Sequence, residues 1–361
     1  PHANLVFLID TSGSMNEPDK LPLLLNSFRL LIDTLAQDDT VAIVTYAGSA
    51  GTVLEPTKAS EKARILAALD SLSAGGSTAG AEGIQQAYSL AAQHFDKAGV
   101  NRVILATDGD FNVGISDPRE LEDFVERKRQ SGIYLSVLGF GEGNYNDELM
   151  QALAQNGNGN AAFIDSLNEA RKVLVSEATS TLFPIANDVK IQVEFNPATV
   201  SEYRLIGYET RLLDKDDFNN DHVDAGDIGA GHTVTALYEL TPKGSKAQLL
   251  DPLRYGAVQQ AGTPADEYAF VKIRYKLPGE DKSRLITQPV NAANEKPDSE
   301  ANFAAAVAGF GQLLRGGKFT GSFSYDDVIA LASANRGPDP YGYRAEFITM
   351  ASLAKSAWPK Q

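Results

Sequence analysis

Residues 4–15, NLVFLIDTSGSM, decide the reading of the chain. Five apolar residues, Leu5 to Ile9, end abruptly at Asp10, and Ser12 and Ser14 follow at alternate positions before any helical pattern begins. An unbroken apolar run of this length suits a strand covered on both faces, as in a parallel sheet. The pattern predicts a buried strand whose end carries a carboxylate and two hydroxyls.

Outward from that stretch, short β-branched runs alternate with helical spacing. Strands are expected at Leu5 to Asp10, Thr40 to Tyr46, Thr52 to Glu55, Arg102 to Thr107, Ile133 to Phe140 and Ala161 to Asp165. Helices are expected near 20–36, 60–71, 80–97, 117–131, 146–156 and 167–181. Alternation of this kind implies right-handed crossovers and a mostly parallel, doubly wound α/β sheet. The segment VTYAGSAGTVLEP, 44–56, reads instead as a hairpin that places one antiparallel strand at an edge.

The rhythm changes at Phe183-Pro184, where the proline stops the preceding helix. DVKIQVEF, YRLIGYETRLL, HTVTALYEL, YAFVKIRYKL and RLITQPV then alternate apolar and polar residues, as half-exposed antiparallel strands do. Helical spacing returns after a polar linker around 291–299. Three parts are therefore expected: an α/β domain over 1–183, an all-β sandwich-like domain over 184–296 and a helical segment over 297–361.

Composition narrows the partners. Acidic residues outnumber basic ones, 47 against 32, and no Lys/Arg block stands out, which disfavours nucleic acid and anionic membrane surfaces. The absence of cysteine removes disulfides, thiolate metal sites and cysteine nucleophiles together. No apolar stretch reaches the roughly 18 residues of a transmembrane span. The first residue stands almost on a core strand, so the chain is expected to be a fragment of a longer protein.

Ligands of an open α/β sheet sit beyond the carboxyl ends of its strands. Those positions hold Asp10, Ser12 and Ser14 after the first strand, then Thr107, Asp108, Gly109 and Asp110, with GEGNYND further on. The Gly-rich loop SAGGSTAG adds Ser77 and Thr78. Carboxylates and hydroxyls without nitrogen or sulfur suit Mg²⁺, Mn²⁺ or Ca²⁺. Two carboxylates are few for a closed calcium cage, so an open site completed by water and an outside ligand is expected. By themselves, Asp10, Ser12 and Ser14 serve equally as a helix cap. GGSTAG lacks the GK[ST] ending of a phosphate loop and the GxGxxG of a dinucleotide site.

FLIDTSGSM, GGSTAG and ILATDGD, taken in order, resemble the metal-ion-dependent adhesion site of von Willebrand factor A domains over about residues 3–182. The resemblance implies that Ser12, Ser14 and Thr78 contact the metal directly while Asp10 and Asp108 act largely through water. It also implies that a partner protein's Asp or Glu carboxylate fills the vacant position. GFGEGNYND, VSEYRLIGYETR, DFNNDHVDAGDIGAGHTVTALYEL and DPYGYRAEF resemble the bacterial YfbK-type members across nearly the whole chain. Those proteins are typically exported and often lipoproteins, which implies an extracytoplasmic place and any lipid anchor upstream of Pro1. Residues preceding their A domain contribute to the β-rich part, so the sandwich is expected to be completed from upstream.

The leading functional reading is a non-enzymatic, Mg²⁺-dependent protein-binding module of the bacterial envelope. A metal-dependent enzyme acting on a phosphate or carboxylate substrate is the alternative, together with an assembly subunit whose metal only stabilises the fold. Ser12 stands where an aspartyl phosphotransferase needs a second carboxylate, and His2, His94, His222 and His232 show no HExxH spacing. Glu17, Asp19, Asp110, Asp117, Asn144 and Asn146 are rim candidates, read mainly as solvated residues or helix caps. Asp217, Asn219 and Asp221 give part of a calcium-loop pattern, but His222 and Ile228 stand where glycine and an acidic residue belong, which favours a structural loop.

Overall fold

A computed structural model of the chain describes all residues except 78–79, 110–117, 144, 179–181, 209–211, 252–265, 292, 294–297 and 358–361. The chain divides into two compact units, one of residues 1–188, 225–233 and 277–280, the other of 189–224, 234–276 and 281–361.

The first unit carries strands β1 (Ala3–Asp10), β2 (Thr40–Tyr46), β3 (Ala50–Lys58), β4 (Val100–Thr107), β5 (Ile133–Phe140) and β6 (Ala161–Ile164). They form one sheet in the order β3-β2-β1-β4-β5-β6. Every adjacent pair is parallel except β2 with β3, which is the expected edge hairpin. Strand β3 is longer than its sequence pattern suggests. It contains Pro56, which an edge strand accommodates because that residue lacks a backbone donor.

The helices of this unit are α1 (Leu21–Ile32), α2 (Lys62–Asp70), α3 (Gly80–Gln93), α4 (Pro118–Gln130), α5 (Asp147–Asn156) and α6 (Leu167–Arg171). The last is shorter than the expected helix because it passes into a π-helical stretch, Lys172–Ser176.

All eight residues of β1 are buried. Because successive side chains point to opposite faces, Leu5, Phe7 and Ile9 enter one core with Leu24, Phe28 and Leu31 of α1. Val6 and Leu8 enter the other with Ile84, Ala87 and Tyr88 of α3 and Met150 and Leu153 of α5. The Phe7 and Phe28 rings stack with centroids 4.2 Å apart. On the opposite face, Gly83 lets α3 approach the sheet closely, since a Cβ there would come within 2.8 Å of the Tyr46 Cβ.

The remaining strands are β7 (Pro184–Phe195), β8 (Val200–Ile206), β9 (Gly226–Gly229), β10 (Leu237–Pro242), β11 (Glu267–Lys276) and β12 (Arg284–Asn291). They form a two-stranded sheet, β10-β8, and a four-stranded sheet, β12-β11-β7-β9. The expected strand YRLIGYETRLL ends early, at Ile206, because Gly207 and Tyr208 both take positive φ, at 79° and 64°, and this breaks the pleat. Within the second unit, α7 (Ser299–Leu314), α8 (Tyr325–Ala334) and α9 (Tyr343–Ala357) pack around Ala306, Val328, Ala332, Phe347 and Ala351. Ser324 and Asp327 close a reciprocal cap at the start of α8.

Phe28→Ala should destabilise the first unit by about 3–5 kcal/mol, because it removes a fully buried ring and leaves a cavity under Phe7. Urea unfolding followed by circular dichroism measures this.

Candidate metal site at the carboxyl edge of the sheet

The chain leaves β1 toward β2 and leaves β4 toward β5, in opposite directions across the sheet, so the topological switch point lies beyond the ends of β1 and β4. Ile9 lies beside Ala106, which brings Asp10 next to the end of β4 and the following Asp108. Asp10, Ser12, Thr107 and Asp108 are all buried, while Ser14 is exposed.

Each oxygen of Asp10 is held in place. Oδ1 accepts the Ser12 amide at 2.9 Å, and Oδ2 accepts the hydroxyls of Tyr46 at 3.2 Å and Thr107 at 3.3 Å. The chain then turns through a 3-10 segment, Gly13–Asn16, anchored by the buried Met15. Ser12 precedes this turn without capping it through its side chain. Its Oγ lies instead 3.1 Å from the Ser14 Oγ.

That separation bears on what the site could hold. Neighbouring ligands of an octahedral ion with bonds of about 2.1 Å lie roughly 3 Å apart. The two serine oxygens are therefore spaced like one edge of a magnesium octahedron. Among the described residues, no group of three or more His, Cys, Asp or Glu is placed to hold an ion. An ion at this edge would thus depend on hydroxyl oxygens, which again suits a hard cation.

The Gly-rich loop is stitched to the same turn. Gly13 N donates to Gly76 O at 3.0 Å, and Gly75 N donates to Thr11 O at 2.8 Å. Gly76 adopts φ +84°, which favours glycine, and a Cβ there would crowd the Gly48 amide at 3.2 Å. Thr78 lies outside the described residues, as do the rim candidates Asp110, Asp117 and Asn144.

Of the other rim candidates, Asn146 and Asp19 have structural partners for their side chains, and Glu17 offers its backbone carbonyl. Asn146 caps α5 by accepting from Leu149 N at 3.2 Å. An Asp19 oxygen accepts the Glu142 amide at 3.3 Å, and the Glu17 carbonyl accepts Lys20 N at 3.0 Å. In the second unit, the loop around Asp217 to Asp221 is laced to cations of the protein itself. Lys190 donates to the carbonyls of Asp217 and Asn220, Lys276 to the Asp221 carbonyl, and Arg274 to Asn219 and the Asp221 carboxylate. Hydrogen bonds from Ser283, then Arg274, lower the Asp221 carboxyl to about 2. The Asn219 and Asp221 side chains and three backbone carbonyls of this loop are thus engaged by the protein itself, which fits a structural loop.

Two residues of the edge were not legible in the sequence. Tyr46 is fully buried at the end of β2, and burial, then the Asp10 charge, pushes its phenol well above the usual range, so it stays a neutral donor to Asp10. Its signal was positional, a polar-tipped aromatic at the end of the strand beside β1. Lys20 gave no local signal at all. Its Nζ donates to Asp108 Oδ2 at 2.9 Å across 88 residues of chain.

The comparisons with known proteins agree with this architecture. A model of the von Willebrand factor type A domain matches residues 4–176, and one described as "Uncharacterized protein YfbK, C-terminal" matches residues 180–357. The chain is therefore a von Willebrand factor A domain protein. More narrowly, it belongs with the YfbK-type members: YfbK of Escherichia coli (strain K12) is 49% identical to it over 356 residues, 98% of this chain. The chain spans 62% of that relative's own length. Human inter-alpha-trypsin inhibitor heavy chain H4 is 32% identical over 148 residues, 38% of this chain and 16% of that protein. Among solved structures, a von Willebrand factor type A protein from Catenulispora acidiphila superposes with a TM-score of 0.53 over 97% of this chain and 82% of its own, at 17% identity, a likeness of fold. Domains of this family are often metal-dependent protein-interaction modules.

Burial raises the Asp10 carboxyl above its ordinary 3.8, Ser12 hydrogen bonds oppose the rise, and the nearby Asp108 adds to it. The folded chain then holds this proton more tightly than the unfolded chain. In EDTA, stability contributed by the protonated group is lost as pH rises from 3.8 through the raised folded value. Asp10→Asn does not ionise and escapes that loss, so its Tm should gain on wild type across the same interval in scanning calorimetry.

Proposed function

We propose that this chain is a Mg²⁺-dependent protein-binding module of the bacterial cell envelope, working by adhesion or scaffolding rather than catalysis. Mn²⁺ or Ca²⁺ would suit the same oxygens. The observation that carries the reading is the meeting of two buried carboxylates, Asp10 and Asp108, with the paired hydroxyls of Ser12 and Ser14 at one strand edge. Ser12, Ser14 and Thr78 would hold the ion, and Asp10 and Asp108 would fix its waters. When bound, the ion supplies a concentrated positive charge able to take a single Asp or Glu carboxylate from a partner protein.

The chain's own residues prepare for that. Tyr46 and Thr107 orient Asp10, Met15 anchors the turn that presents Ser14, and the bonds from Gly13 and Gly75 keep the Gly-rich loop against it. The net charge of −15 disfavours a polyacidic partner at long range, so one presented carboxylate fits better than an acidic tract. No described helix is long and apolar enough to cross a membrane. The placement in the envelope, with any lipid anchor upstream, rests on what the resemblance to YfbK-type members implies.

Pull-down from an envelope extract with immobilised wild type and Asp10→Ala, each with Mg²⁺ or EDTA, tests the reading. A partner should be recovered by wild type in Mg²⁺ and lost in the other three conditions. Equal recovery in all four would leave only a structural role for the site.

A further inference from the structure

Lys20 has no place in the binding reading above, yet its position is unusually well determined. It stands at the start of α1, with its amide bonded to Glu17 O and its carbonyl accepting Leu24 N at 2.8 Å. Its stem crosses the loop after β5 directly over Gly141. A Cβ on Gly141 would come within 2.5 Å of Lys20 Cε, 2.6 Å of Cγ and 2.9 Å of Cδ. Gly141 also takes φ +79°, so the loop is shaped both by its backbone and by the lysine lying on it. The Asp19 carboxylate accepting the Glu142 amide keeps the two loops together on either side of that stem.

The ammonium so delivered meets Asp108. The two side chains are 12% and 1% exposed, so this is a pair largely removed from water. A buried carboxylate left without a cation is costly, and more so here because Asp10 lies within reach of the same field. A divalent ion at this edge would supply, through the waters that Asp108 fixes, the positive charge that Lys20 supplies by direct contact. Two cations serving one carboxylate in a confined, poorly solvated space repel each other.

We infer that Lys20 is a tethered internal counter-ion of the cation site: its ammonium neutralises Asp108 when no divalent ion is bound and must yield when one binds, so that it sets the site's metal affinity. This rests on the reading of the edge as a divalent-cation site. The consequence is a site kept folded in the absence of metal by its own lysine, and held to weaker, reversible metal binding than its oxygen donors alone would give. The displaced ammonium would then lie beside the ion as a second positive group facing an incoming carboxylate.

The test is titration of the full chain with MgCl₂ and MnCl₂ by isothermal calorimetry, in wild type, Lys20→Met, Lys20→Arg and Asp10→Ala. Lys20→Met keeps an unbranched apolar stem over Gly141 and removes the charge. Lys20→Gln serves as a second neutral variant should the first not fold. Loss of one charge-assisted bond competing with the metal should tighten binding by roughly tenfold to a hundredfold in the neutral variants, with little change in Lys20→Arg. The same neutral variants should melt lower than wild type in EDTA and gain more in Tm on saturation with Mg²⁺. Binding by Lys20→Met where wild type shows none would support the inference in its strongest form. Equal or weaker metal binding by the neutral variants, with wild type still binding, would overturn it and leave the cation site standing. Absence of binding in every variant would overturn both.

Discussion

Two carboxylates, Asp10 and Asp108, are buried within reach of each other's charge where the sheet's chain path diverges, and the fold must satisfy both. Asp10 ends β1 and Asp108 follows the end of β4, the strand that pairs with it, which puts like charges into a space with little water. Such an arrangement persists only where every oxygen is engaged or a cation is supplied. Asp10 is met by the Ser12 amide and the Tyr46 and Thr107 hydroxyls, and Asp108 by the Lys20 ammonium. Tyr46 reaches Asp10 from the end of β2, and close packing of α3 at Gly83 presses on that residue from the helix side.

The contrast with the acidic loop of the second unit shows what distinguishes a candidate cation site from a merely acidic segment. Asp217, Asn219 and Asp221 are at least as rich in oxygen as the edge of the first sheet. The Asn219 and Asp221 side chains, however, are used by Arg274 and Ser283, and Lys190 and Lys276 take the Asp217 and Asp221 carbonyls, which ties the loop to neighbouring strands. At the first edge, by comparison, the Ser12 and Ser14 hydroxyls hydrogen-bond each other, and Lys20 meets the Asp108 carboxylate. The difference lies in which side chains the fold delivers, which a local pattern of acidic residues does not report.

Much of the fold was legible from local pattern because each level of the sequence agreed with the next. The unbroken apolar run of β1 requires cover on both faces, and the amphipathic spacing of α1 and α3 supplies it on opposite sides. The edge hairpin was marked by glycine and serine between two short runs, and β3 tolerates Pro56 for the same reason that it lies at an edge. Readings failed where backbone conformation departs from the side-chain pattern. Positive φ at Gly207 and Tyr208 ends β8 inside an alternating stretch. The π-helical turn after Arg171 interrupts a pattern that continues to look helical. β9, Gly226–Gly229, is too short and too glycine-rich to carry a strand signal.

By itself the sequence determined that β1 is buried and parallel, that its end carries Asp10, Ser12 and Ser14, and that Asp108 follows a second such strand. Those are consequences of side-chain period and of where apolar runs stop. Only the tertiary structure decided what holds the two carboxylates, because Tyr46 and Lys20 reach them from 36 and 88 residues away along the chain. A hydrogen bond or ion pair between distant segments leaves no periodicity behind. It exists because the order β3-β2-β1-β4 sets Tyr46 beside Asp10 and because Gly141 leaves room for a lysine stem on its way to Asp108.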